Sequence, residues 1–285
     1  MRRHQAVRCV GIGLAVLLLV PALAVAQLIP TKLPTPQGGD FGNGASTSSV
    51  AGGAFVDGEE PQATPALAYG IPIGFGAARG HIFGAAGIQR GLRGARDFVD
   101  GAVYSGQGFG DAHRYGAVEV TLASYSTMRN TFRNRSLSLK LHRRIGRAMG
   151  IAAGVENAFI AGRPDGGRSA FAVASYRLKV RSAGARPRSV TGTVGIGDGR
   201  FNSVPRVQRE ANKASVFGSL SVRLARPLSV LATWNGQDLT TGVSVAFRAV
   251  AGIPVVVTPV VLDVTGHAGD KPRLALSVGT AVQLW

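Results

Sequence analysis

Residues 215–248 constrain the fold more than any other part of the chain. Val216, Gly218, Leu220, Val222 and Leu224 alternate with Phe217, Ser219, Ser221 and Arg223. After Ala225-Arg226-Pro227, which reads as a turn, Leu228, Val230, Ala232 and Trp234 alternate with Ser229, Thr233 and Asn235. Asn235-Gly236 is a hairpin signal, because both residues tolerate positive φ. Leu239, Thr241, Val243, Val245 and Phe247 then alternate with Thr240, Gly242, Ser244 and Arg248. In a strand, successive side chains point to opposite faces, so each segment presents one apolar face and one small or polar face. Strands of about ten residues with that pattern, joined by tight turns, predict an antiparallel transmembrane β-barrel.

The start of the chain predicts export. Arg2, Arg3 and Arg8 precede an apolar run from Val10 to Val25, and Ala24-Val25-Ala26 has the small-x-small form of a cleavage site. Residues 1–26 are expected to be a signal peptide, with Gln27 opening the mature chain. The run is shorter than the ~20 residues of a membrane-spanning helix and contains Pro21. Cys9 is the only cysteine and falls inside this segment, so the mature chain can form neither a disulfide nor a thiolate metal site. Residues 27–66, rich in Pro, Gly, Ser and Thr, read as a flexible extension. Residues 67–285 read as the barrel. No other segment approaches a spanning helix, so any bilayer crossing must be made by a closed sheet.

The remaining strands are less evenly marked. Tyr69–Phe75 and His81–Ile88 are short, glycine-rich candidates, and 90–100 reads as a loop. Candidates follow at 103–109, 118–123, 136–142, 151–159, 170–180 and 190–196. The stretch 198–214 is the longest gap and is expected to be an extracellular loop. Residues 253–264 are apolar on both faces, as in an irregular strand or one whose inner face packs against something in the lumen. The last strand runs over 273–285. The total is 12 or 13, and an even number, 12, places both chain ends on one side.

Charge is concentrated in part of this frame. The net charge of +17 falls to +14 without the first 26 residues, which hold three arginines and no acid. Between Arg129 and Arg226 there are 20 Lys and Arg against four acids. Lys140, Arg177, Lys179, Arg223 and Arg248 all fall on the polar faces of their strands. In a membrane barrel that face is the lumen, because a cation at the lipid midplane costs about 2–4 kcal/mol. A basic lumen attracts small anions. The same residues would also serve at strand ends beside lipid phosphate, or against acidic lumen partners such as Glu119 and Glu156. No nucleic-acid-binding motif accompanies the charge, so nucleic acid is not an expected partner.

With its signal peptide, successive alternating strands, aromatic last residue and cysteine-free mature chain, the sequence resembles the bacterial outer-membrane β-barrel proteins as a superfamily, over roughly 69–285. The resemblance implies residence in the bacterial outer membrane, with membrane lipid as a partner. It also implies insertion by barrel-assembly machinery that reads the final strand, with Trp285 at the terminal position. The bulky residues before Trp285, Leu284 and Val282, lie one position out of phase with the superfamily pattern.

Enzymatic barrels need a catalytic set at one end. His81, His113, His142 and His267 are the candidate bases, but His142 is followed by Arg143 and Arg144 where a His-x-Ser arrangement needs serine, and no motif marks a nucleophile. No enzymatic activity is expected. Asp263, His267 and Asp270 lie in a glycine-containing loop before Pro272, and no metal or other cofactor is expected. Gly195-Ile196-Gly197-Asp198-Gly199 lacks the Lys-Ser/Thr of a phosphate loop and reads as a strand end and turn. Three functions remain: a small anion-preferring porin-like channel, a non-conducting structural or envelope-assembly barrel, and a soluble exported β-sandwich or adhesin.

Overall fold

The computed structural model describes residues 64–92, 95–125, 134–162, 167–180, 188–202, 214–248, 253–266 and 271–284. They form twelve strands: β1 His81–Leu92, β2 Ala95–Asp111, β3 Gly116–Tyr125, β4 Asn134–Ile145, β5 Met149–Ala161, β6 Ser169–Val180, β7 Arg188–Gly197, β8 Ser215–Ala225, β9 Leu228–Trp234, β10 Leu239–Arg248, β11 Pro254–Leu262 and β12 Arg273–Gln283. Each strand pairs antiparallel with its sequence neighbours, and β1 pairs with β12 from His81↔Gln283 to Arg90↔Leu274. The sheet therefore closes into one barrel without an edge. It is not the two stacked sheets of a β-sandwich.

The alternation read in the sequence becomes the two faces of the barrel. Leu220, Val216, Val194, Ile196, Leu141 and Leu178 lie on the outer face, each more than half exposed. The inner face carries Thr121, Ser136, Ser175, Thr191, Thr193, Ser221, Ser229, Thr233, Thr240, Ser244 and Thr258, all buried. The turn at Arg226-Pro227 joins β8 to β9. Asn235-Gly236 lies in a four-residue link, 235–238, instead of a two-residue turn; the Asn235 side-chain oxygen accepts bonds from the backbone of Gln237 and Asp238, both at 2.8 Å.

Several boundaries differ from the sequence reading. Residues 90–92 and 95–100 are strand, not loop. β1 extends to Leu92 and β2 starts at Ala95, with Arg90 opposite Val99 and Gln89 opposite Asp100. Conversely, Tyr69–Phe75 is not a strand. The 198–214 gap is described at 198–202 and at Ala214, where Gly199–Phe201 form one 3-10 turn after β7. The Gly195–Gly199 run is thus the end of a strand and a turn.

Both described chain ends, at Thr64 and Leu284, lie at the barrel end that also carries the links 112–115, 146–148 and 226–227. We call this the terminal end. The opposite, loop end carries the last residues of β3, β5, β7 and β11, the 3-10 turn 199–201 and the link 235–238.

Candidate functional site

Residues 64–77, ahead of β1, lie inside the barrel. Every residue from Thr64 to Ala77 is buried. Thr64 and Pro65 sit beside Ser189, Ser221, Arg223 and Ser229 at the terminal end. The chain rises to Gly70, reverses there at φ +72°, and returns to Ala77 beside Glu119 and His142 before β1 begins. The segment is a luminal hairpin whose backbone makes no ladder with the sheet, so side chains of the wall must satisfy its amides and carbonyls.

The rising limb is held by hydroxyls. Ala66 N–H donates to Ser244 Oγ at 2.8 Å, and the Ala66 carbonyl accepts from Ser229 at 3.1 Å. Tyr69 N–H donates to Thr233 Oγ1 at 3.2 Å, and Ser219 donates to the Leu67 carbonyl at 3.3 Å. Val256, Val260 and Leu262 of β11 pack with Ala66 and Tyr69 in one apolar cluster. The two-faced apolar character of 253–264 thus has its source in the lumen.

The returning limb is held mainly by ionisable groups. Lys140 Nζ donates to the Phe75 carbonyl at 3.0 Å and pairs with Glu119 Oε1 at 3.0 Å. Glu119 Oε2 accepts from the Ala77 N–H at 2.8 Å, and His142 Nε2 lies 2.8 Å from the Ala77 carbonyl. The Arg144 guanidinium stands 5.7 Å from the centre of the Phe75 ring. Ser175 adds one hydroxyl contact, to Gly74 N–H at 2.9 Å. Close approach of limb and wall requires glycine on both: a β-carbon on Gly74 would sit 2.1 Å from the Gly150 oxygen.

At the loop end the hairpin tip is capped. Arg200, on the turn after β7, donates to the Gly70 carbonyl at 2.8 Å and forms a two-pronged pair with Glu156. Burial disfavours its charge, but the Glu156 carboxylate outweighs this and raises the Arg200 pKa. Gln237 bonds the carbonyls of Arg200 and Asn202 at 2.9 and 2.7 Å, and Phe201 stacks on Phe217 at 4.3 Å between ring centres. Next to this cap Asn157, at φ +53°, accepts from Tyr125 Oη at 2.9 Å and from Ser136 Oγ at 2.6 Å. Arg273 pairs with buried Asp238 at 3.3 Å.

The five cations singled out in the sequence all fall on inward strand positions, but in different settings. Lys140 and Arg177 are buried. Arg223 is half-buried beside Arg177, Thr64 and Pro65. Lys179 and Arg248 are exposed at the terminal end. Trp285 and His267 lie outside the described residues. His81 Nδ1 lies 3.1 Å from the Ala78 carbonyl, whereas His113 is exposed in the turn after β2. Asp263 is buried at φ +52°, and Asp270 lies outside the described residues. Sequence reasoning missed the hairpin and its partners Ser244, Ser229, Thr233 and Arg200. Their signal was present as an inner face rich in hydroxyls, which need partners once buried.

The arrangement occludes the lumen. Glu119, Thr121, Lys140, Arg177, Thr193, Thr233 and Thr258 have exposures between 0 and 7 %. A water-filled bore would leave such inward side chains wet. A scan against protein-family models found no match, and a search of curated proteins found no relative.

Proposed function

We propose that this chain is an exported bacterial outer-membrane β-barrel, directed by a signal peptide at 1–26 and inserted through its last strand, whose bore its own N-terminal hairpin keeps closed. Its role is that of a non-conducting structural or envelope-assembly barrel, and it is not an enzyme. One observation carries the reading: a belt of Leu, Val and Ile is exposed around the outer face, while the buried hydroxyls and ion pairs share the interior with the apolar side chains packed around the hairpin. Among soluble proteins contiguous apolar surface of this kind is rare. In a bilayer it faces hydrocarbon.

Leu220→Arg tests this directly. Leu220 lies mid-strand on β8, opposite Ala232 and Gly192, and is 53 % exposed. In water the change would be nearly neutral. In a bilayer it is expected to cost about 2–4 kcal/mol. The measurement is membrane-inserted, heat-modifiable protein after an alkaline wash; wild-type release by the wash, with no heat shift, would sink the membrane reading.

A second reading, favoured by the inward positions of Arg177, Lys179, Arg223 and Arg248, is that withdrawal of the hairpin opens an anion-preferring channel. In planar bilayers the full chain is expected to be silent, and a chain lacking 27–79 to conduct with anion preference. Changing Arg177, Lys179 and Arg223 to Glu in that shortened chain reverses the preference. Unchanged selectivity would remove them from the conduction path.

A further inference from the structure

The outer wall is uneven in one place. Across β4, β5, β6 and β7 the paired positions Leu141, Ala153, Ala172 and Ile196 lie in one row, since Leu141 faces Ala153, Ala153 faces Ala172, and Ala172 faces Ile196. The neighbouring row, Arg143, Ile151, Ala174 and Val194, is in register beside it. Large side chains thus flank a floor of alanines, and a groove of about 660 Å³ results. That volume falls within the ~300–1,000 Å³ usual for sites holding small molecules.

The groove is chemically asymmetric. Its length is walled by Leu141, Ile196 and the alanine floor, while Tyr115 and Arg143 stand at the terminal end. Arg143 is exposed and donates to the Arg114 carbonyl at 3.3 Å. Arg114, in the turn between β2 and β3, and Arg147, in the turn between β4 and β5, are exposed as well. The acid nearby is Asp111, 3.6 Å from Arg114 across an exposed pair that solvent screens. The lining residues include an arginine and no carboxylate.

We infer that this groove is a binding site for one anionic phospholipid, with an acyl chain on the alanine floor and the phosphate at Arg143 and Tyr115. An apolar channel ending in cations matches an amphiphile with a negative head, and neither a free anion nor a neutral hydrocarbon uses both parts. Cations at a membrane surface attract anionic headgroups in general; the groove adds a place for the chain, and so selects one lipid molecule. The inference rests on the membrane reading above for its source of lipid.

The test is native mass spectrometry of the full-length folded barrel in detergent, titrated with phosphatidylglycerol, with phosphatidylcholine of the same chains, and with inorganic phosphate. Phosphatidylglycerol is expected to be retained at least fivefold more than phosphatidylcholine. Arg143→Glu and Ala172→Leu, which reverse the mouth charge and fill the floor, should each abolish that preference. Arg226→Glu, a rim cation on the β8–β9 turn outside the groove, should leave it unchanged. Equal retention of the two lipids, equal loss in Arg226→Glu, binding of phosphate as tight as that of lipid, or a lipid-independent dimer would each overturn the inference. A heat-shifted band certifies each variant as folded; should Ala172→Leu not fold, Arg143→Glu decides alone. A wild-type chain with no heat shift fails the membrane reading itself, whereas a heat-modifiable barrel without lipid preference fails only the groove.

Discussion

The two limbs of the luminal hairpin are equally buried but held by different chemistry. Serine and threonine hydroxyls of β8, β9 and β10 hold the rising limb, and Glu119, Lys140 and His142 of β3 and β4 hold most of the returning one. A hydroxyl that loses its partner can rotate towards a neighbouring oxygen or a water, so a neutral contact contributes only about 0.5–1.5 kcal/mol net. A buried ion pair that loses one member leaves a charge without compensation, at a cost of about 3–5 kcal/mol. Equal burial therefore does not mean equal attachment. The rising limb is the side from which the hairpin can be peeled, and the returning limb anchors it to the start of β1.

That contrast can be broken experimentally. The largest effect is expected from Glu119→Gln, which strands the Lys140 ammonium; heat-shift midpoints should show a loss of about 3–5 kcal/mol. Next is Gly150→Leu. A β-carbon at Gly150 would already lie 2.5 Å from the Gly74 oxygen, so the side chain must push the returning limb off the wall, at a cost of about 1–3 kcal/mol. Limited proteolysis should then cut within 71–77, which is buried in the wild type. Smallest is Ser244→Ala on the rising limb, at about 0.5–1.5 kcal/mol by the same heat-shift assay. If Ser244→Ala costs as much as Glu119→Gln, the distinction between the limbs is gone.

The outer wall was legible in the sequence because it depends on a local rule. From β8 to β10 the period-two pattern alone assigns every side chain to a face, and the barrel needs only that these faces agree between neighbours. The hairpin was not legible, because nothing local defines it. Its partners are wall residues far along the chain, as with Ala66 and Ser244 or Ala77 and Glu119, and its own sequence, Ala-Tyr-Gly-Ile-Pro-Ile-Gly-Phe-Gly, has no alternation of polarity. The same holds for 90–100, whose arginines and aspartates resemble a loop until strand pairing fixes them. Phe217 was a clue that could have been followed. An aromatic ring on an otherwise small, polar face has to fill something, and here it stacks on Phe201 beneath the cap.

The seam between β1 and β12 also sets an order of events. His81 and Gln283 meet there although almost the whole barrel separates them in sequence, and closing so long a loop is among the costlier entropic steps of assembly. The hairpin directly precedes His81, and the wall that encloses it is complete only when β12 pairs with β1. Closure of that seam is thus the step that shuts both limbs of the hairpin inside the wall, and a chain whose β12 cannot pair with β1 leaves them in an open sheet.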